Sequence, residues 1–177
     1  MKSKQLTLQK INALDQESFV TALGSLFEGS PWIVRQAWHT RPFISLTDLH
    51  QALCTVMYQA PVEQQLALIQ AHPDLVGRAA LAGTLTPEST SEQASAGLSY
   101  LSPEEISTFT QLNQTYHGRF GFPFVICVRE NKKESILAGF ATRLLNSRSR
   151  EIETALGEIA QICWYRVNDI VLSDVVE

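Results

Sequence analysis

The chain has 177 residues, 45% of them hydrophobic and 18% charged, which is enough to bury a core of its own within one domain. A formal net charge of −4 supplies no basic stripe for a phosphate backbone, so nucleic acid is not expected as the main partner. Cys54, Cys127 and Cys163 are odd in number and have no C-x-x-C spacing, which signals neither a disulfide framework nor a zinc site and points to a reducing compartment.

Met1-Lys2-Ser3-Lys4 leads into an alternating leucine and polar segment without the long apolar run of a signal peptide or membrane span. Val175-Val176-Glu177 is not a peroxisomal tripeptide, and a soluble, cytoplasmic protein is the expectation. Asp15 is placed to cap a helix with Phe19, Leu23, Leu26 and Phe27 on one face, ended by Gly29. Ser30-Pro31 opens the next helix, which carries Trp32, Val34 and Trp38 and stops before Arg41-Pro42-Phe43. A third begins near Thr47 and buries Leu49, Leu53, Val56 and Met57. A fourth begins at Pro61 and must end at or before His72, because Pro73 disfavours a helical residue ahead of it.

Two S-x-x-E strings then read as capping boxes, Ser89 with Glu92 and Ser102 with Glu105. The second opens a helix through Ile106, Phe109, Asn113, Tyr116 and Phe120. Phe122 to Val128 reads as an extended, buried run, and one strand makes no sheet. A helix over Ile136, Leu137, Phe140 and Leu144 follows, then a long one through Ile152, Ala155, Leu156, Ile159, Cys163, Arg166 and Ile170. The expectation is an all-α, single-domain bundle of about eight helices over residues 1–177, with one short extended segment.

Chemistry-bearing residues gather near helix ends. His72 sits on the loop that Pro73 forces, where functional residues concentrate, and Asp74 is close enough to orient the ring or the loop. Glu92 has two readings: a carboxylate for acid–base work, or the returning arm of a capping box. Gln93 and the small residues Ala94 to Gly97 let another surface approach closely. The Phe122–Val128 backbone, outside a sheet, has N–H and C=O groups that a planar, amide-rich ligand would satisfy. Arg119 and Arg166 are candidate carboxylate partners, Arg166 the more unusual because its helix stripe is otherwise apolar. No G-x-S-x-G, Walker loop, G-x-G-x-x-G or H-E-x-x-H string occurs, so a cofactor-free acid–base site is the chemistry left.

Taken together, Arg41-Pro42-Phe43, His72-Pro73-Asp74-Leu75, Ser89-x-x-Glu92-Gln93-x-x-Ala96-Gly97-Leu98, Leu101-Ser102-Pro103-Glu104-Glu105, Leu112-Asn113, Tyr116, Phe120-Gly121-Phe122-Pro123-Phe124-Val125, Arg143 and Asn146 make the chain resemble the 2-oxo-4-hydroxy-4-carboxy-5-ureidoimidazoline (OHCU) decarboxylases of urate breakdown. The resemblance implies an all-helical lyase, commonly a homodimer, that converts OHCU to (S)-allantoin and CO2 without metal or cofactor. It implies His72 as catalytic acid with Glu92 assisting, and substrate contacts from Pro73, from Ser89, Thr90, Ser91, Glu92 and Gln93, and from Phe124, Val125, Ile126, Cys127 and Val128. Arg166 matches the family's carboxylate-binding arginine less securely. The peroxisomal C-terminal signal of eukaryotic members is missing, which bears on the compartment alone and suggests a bacterial-type enzyme. The rival expectations are an unrelated cofactor-free enzyme acting on another ring, and a non-catalytic helical module in which His72 and Glu92 are only loop and cap residues.

Overall fold

The computed structural model describes residues 6–172, and the terminal strings read above, Met1-Lys2-Ser3-Lys4 and Val175-Val176-Glu177, lie outside the described residues. The fold is all-α, with ten α-helices among the described residues. The chain groups into two compact units, one running to Leu68 and resuming at Ala160, the other spanning Ile69–Ile159.

The first unit contains β1 (Leu6–Thr7), α1 (Leu8–Ala13), α2 (Gln16–Leu23), α3 (Pro31–Ala37), α4 (Leu46–Gln59) and most of α5 (Val62–Gln70). It also takes the C-terminal part of α10 (Arg148–Ile170) and β2 (Val171–Leu172). The two short strands pair in parallel, Leu6 with Val171 and Thr7 with Leu172, so the alternating N-terminal leucine segment makes β1 and α1. Asp15 caps α2 as its sequence suggests, accepting from the Ser18 N–H. That helix ends at Leu23 and not at Gly29: a single 3-10 turn over Gly24–Leu26 replaces its last turn, and Gly29 supplies a φ of +57° in the loop beyond. Ser30 precedes Pro31 at the first helical position of α3, but its hydroxyl makes no capping bond. In α4, Ser45 caps the helix by accepting from Asp48 N–H, and Leu49, Leu53, Val56 and Met57 are buried as their spacing requires.

The second unit holds the end of α5, α6 (Arg78–Leu81), α7 (Pro87–Ser95), α8 (Pro103–Phe120), α9 (Lys133–Arg143) and the N-terminal part of α10. Ser102 and Glu105 form the expected reciprocal capping box at the start of α8. Ser89 and Glu92 do not. Thr86 is the N-cap of α7, its hydroxyl accepting from Ser89 N–H, because Pro87 has a fixed φ and no N–H to lose and so belongs at the first helical position. Glu92 therefore lies in the second turn of the helix, away from its N-terminus.

An aromatic cluster fills this unit. The Tyr116 ring is surrounded by Phe120, Phe122, Phe124 and Phe140, with centroids at 4.7, 6.0, 5.2 and 6.1 Å, and Phe124 stacks on Phe140 at 3.8 Å. Inside it is an ion pair: Glu151, 0% exposed, receives hydrogen bonds from Arg143, from the Tyr116 hydroxyl and from Asn146 Nδ2 at 2.8 Å. Three polar groups thus converge on one buried charge, as a buried carboxylate requires. Phe122–Val128 is buried and outside any sheet, as expected, but the protein supplies partners for its backbone. Arg143 donates to Val125 O at 2.6 Å, Cys127 N–H donates to Glu158 at 2.7 Å, and Asn131 donates to Cys127 O at 2.9 Å. No helix among the described residues is long and apolar enough to cross a membrane.

Burial leaves a pH signature. It pushes the Cys54 and Cys127 thiols from the usual 9.0 up to about 11, and raises Cys163 and the Tyr116 phenol as well. Between pH 9 and 11 the unfolded chain releases thiol protons that the folded chain keeps, so stability falls as pH rises through that window. Each of the two thiols removes up to about 1.4 kcal/mol per pH unit there. Urea midpoints under reducing conditions should be flat from pH 7 to 8.5 and drop above 9, with a shallower drop in a Cys54→Ala, Cys127→Ala double variant; an equal drop in that variant would contradict the assignment.

Candidate active site

The site begins where α5 stops. Gln70 is the last helical residue, His72 N–H returns to Ile69 O at 3.2 Å, and Pro73 forbids another turn. The chain then makes a tight four-residue turn, Asp74-Leu75-Val76-Gly77, closed by Gly77 N–H to Asp74 O at 3.3 Å. Val76 at its third position has φ +52°, the only non-glycine positive φ among the described residues. Type II turns need that sign at that position and normally use glycine, so a β-branched residue there is strained. Gly77 is required by packing: a Cβ at this position would stand 2.5 Å from the Asp74 Cβ.

The turn is held from two helices. From α7, Gln93 Oε1 accepts Val76 N–H at 3.1 Å and its Nε2 donates to Asp74 O at 3.5 Å. From α8, Asn113 Nδ2 donates to Leu75 O at 2.8 Å, and His117 meets the Asp74 carboxylate at 2.8 Å. Asp74 thus partners His117, a histidine that no sequence motif marks. His72 itself is 8% exposed, more buried than a loop position suggests.

Of the Ser89–Gln93 string, helical spacing turns Ser89, Glu92 and Gln93 inward, all buried, and leaves Thr90 and Ser91 exposed. Glu92 stands 3.9 Å from Arg129, which directly follows the buried Phe124–Val128 segment. Through Gln93 and Glu92, α7 therefore joins the His72 turn to the end of that segment. Phe124, Val125, Ile126, Cys127 and Val128 are themselves buried. Arg166, 3% exposed in the first unit, holds Glu28 at 3.1 Å and Ser25 O at 3.0 Å, so its carboxylate partner is one of the protein's own. Arg119 is exposed and donates to Asn146 O at 3.2 Å.

His72 and Pro73 line a cleft of about 1250 Å3, together with Asp74, Val76, Asn113, His117, Pro123 and residues of α6. Ser89–Gln93 and Phe124–Val128 are not among its lining residues; Gln93 grips its wall by the backbone, and Pro123 borders it. Among the described residues no group of three or more His, Cys, Asp or Glu is arranged to hold a metal ion. No sequence pattern marks His117 or Arg129, and Asn113 enters only through its helix stripe and the Leu112-Asn113 string. The one available signal was Asn113, an amide on the otherwise apolar stripe Phe109, Tyr116, Phe120 of α8.

Comparison with known proteins is consistent across the chain. The sequence model of the OHCU decarboxylase family matches residues 12–168. A 2-oxo-4-hydroxy-4-carboxy-5-ureidoimidazoline decarboxylase of Haloferax volcanii is 43% identical over 163 residues, 92% of this chain and 95% of that protein. One from Halalkalicoccus jeotgali is 40% identical over 166 residues, covering 94% and 92%. Among solved structures, an (S)-allantoin synthase superposes with TM-score 0.74 at 22% identity, a likeness of fold. It covers 94% of this chain, which spans about half, 54%, of that one.

The packing of the turn is directly testable. Gly77→Ala forces the Asp74 Cβ away and with it the His117 contact, an overpacking that should cost about 1–3 kcal/mol in chemical denaturation. A midpoint equal to wild type would mean that the turn yields freely.

Proposed function

This chain belongs to the OHCU decarboxylase family, and from that premise we propose that it converts OHCU to (S)-allantoin and CO2, with His72 as proton donor and Glu92 assisting. The observation that carries the reading is the placement of His72. Its imidazole lines an open cleft beside a turn gripped by Gln93, from the same buried helix face that presents Glu92, while the cleft's other imidazole, His117, is paired with Asp74.

The chemistry follows from the substrate. Loss of CO2 breaks the bond between ring carbon and carboxylate, and its electron pair passes into the conjugated C=N system of the ring, so the substrate carries its own electron sink. The pair leaves an enol between the carbon that lost CO2, which keeps the hydroxyl, and the neighbouring carbon that bears the ureido group. His72 delivers a proton to that ureido-bearing carbon from the face the cleft wall presents, and the hydroxyl gives up its proton as its carbon becomes the carbonyl of allantoin. Glu92, 3.9 Å from the Arg129 guanidinium, holds the substrate hydroxyl, which sets the scissile carboxylate across the ring. Pro73 lines the cleft beside His72, and Gln93 supports the cleft wall from α7 through the Val76 backbone. A homodimer in the cytoplasm, acting on a small molecule and engaging neither nucleic acid nor membrane, completes the proposal.

The test is turnover of OHCU generated freshly in situ, since the compound also decays unaided. The protein should remove it well above the spontaneous rate. His72→Asn should fold normally and lose at least ~10²-fold in turnover, the scale for deleting a positioned acid or base. Glu92→Gln should also lose much of the activity with little change in melting temperature. Near-wild-type turnover in His72→Asn would remove His72 from the mechanism, and no acceleration by the wild type would remove OHCU as substrate.

A further inference from the structure

Leu75 C=O and Val76 N–H belong to one peptide unit, the central peptide of the turn, and both of its polar atoms are held by side chains. Asn113 Nδ2 takes the oxygen at 2.8 Å and Gln93 Oε1 takes the N–H at 3.1 Å, from two different helices. In a four-residue turn the orientation of the central peptide is what separates type I from type II. Rotating it by half a turn changes the third residue from negative to positive φ. A valine there strongly favours the negative value, so an unheld peptide would flip.

Asn113 maintains this grip at a visible disadvantage. It is 6% exposed on the apolar stripe of α8, between the fully buried Phe109 and Tyr116, and its Oδ1 is buried with no hydrogen-bond partner. A leucine would fill such a position without an orphaned acceptor, and core positions of this kind are normally apolar. What the carboxamide supplies that a leucine does not is the donor to Leu75 O.

We infer that Asn113 is a positioning residue for His72. With Gln93 it holds the Leu75–Val76 peptide in the orientation that strains Val76, and that orientation fixes the three-residue span from the imidazole to the turn. The inference rests on the OHCU reading for its kinetic consequence, but the peptide orientation it asserts is independent of any substrate.

Two readouts test it. In Asn113→Leu, amide hydrogen exchange at Val76 should rise at least tenfold relative to neighbouring α8 amides, because a flipped peptide withdraws the N–H from Gln93. The same variant should lose at least about tenfold in kcat on freshly made OHCU while KM changes less than about twofold, since His72 is displaced and the Ser89–Gln93 face is not. Val76→Gly removes the preference for negative φ, so adding it to Asn113→Leu should restore several-fold of the lost kcat, a non-additivity that a purely structural role for Asn113 does not produce. If Asn113→Leu fails to fold, Asn113→Ala carries the same measurements. Unchanged Val76 exchange overturns the inference, and so does a double variant whose losses simply add. A wild type inactive on OHCU overturns the functional reading alone, because the exchange experiment still decides the role of Asn113.

Discussion

Pro73 cannot continue α5, and everything distinctive in the second unit follows from how the chain leaves that stop. A helix ending at Gln70 releases His72 from the helical ladder, and a single strained turn over Asp74–Gly77 sends the backbone directly into α6. Turns that leave a helix usually relax into whatever conformation their residues prefer. This one does not, since its valine sits at φ +52° and its glycine is packed against Asp74. Strain of this kind, about 1–3 kcal/mol, persists only where surrounding contacts over-determine the backbone. Gln93, Asn113 and the His117–Asp74 pair are those contacts, and they come from α7 and α8.

The helices that supply the grip are themselves anchored by burial. α8 carries Tyr116 one turn beyond Asn113, and Tyr116 reaches the Glu151 carboxylate that also receives Arg143 and Asn146. Removing one member would leave a charge or hydroxyl stranded in an aromatic cluster, which is why such networks, once present, are costly to break. The same Arg143 holds Val125 O, so the buried segment and the site-bearing helix share one scaffold. Rigidity at the turn is thereby referred to the most deeply buried part of the unit.

Much of this was legible in the sequence where a local rule decides the outcome. Pro73 dictates the end of α5, Ser102 and Glu105 cap α8, and apolar spacing places Phe109, Tyr116 and Phe120 inward. The failures have a common cause: competing local signals that only packing resolves. Ser89-x-x-Glu92 has the same form as the box at Ser102, but Pro87 claims the first helical position and moves the cap to Thr86. The Phe122–Val128 backbone looked available to a ligand because nothing nearby in sequence pairs with it, whereas its partners Arg143 and Glu158 lie 18 and 31 residues further on. The Arg166–Glu28 contact, across 138 residues, is another pairing with no local signal. Pairing across such distances has no sequence pattern, so buried charge networks were invisible while helix ends were not.

The central claim is that one imidazole, held on one side of the substrate, delivers the proton. OHCU disappears unaided, so rate alone is a blunt criterion, and handedness of the product is the sharper one. Circular dichroism of allantoin formed from freshly generated OHCU, read promptly before spontaneous racemisation, reports which face was protonated. The account predicts a large excess of (S)-allantoin, since each ~1.4 kcal/mol of facial preference is a factor of ten in product ratio. Accelerated decay that yields racemic allantoin would contradict it.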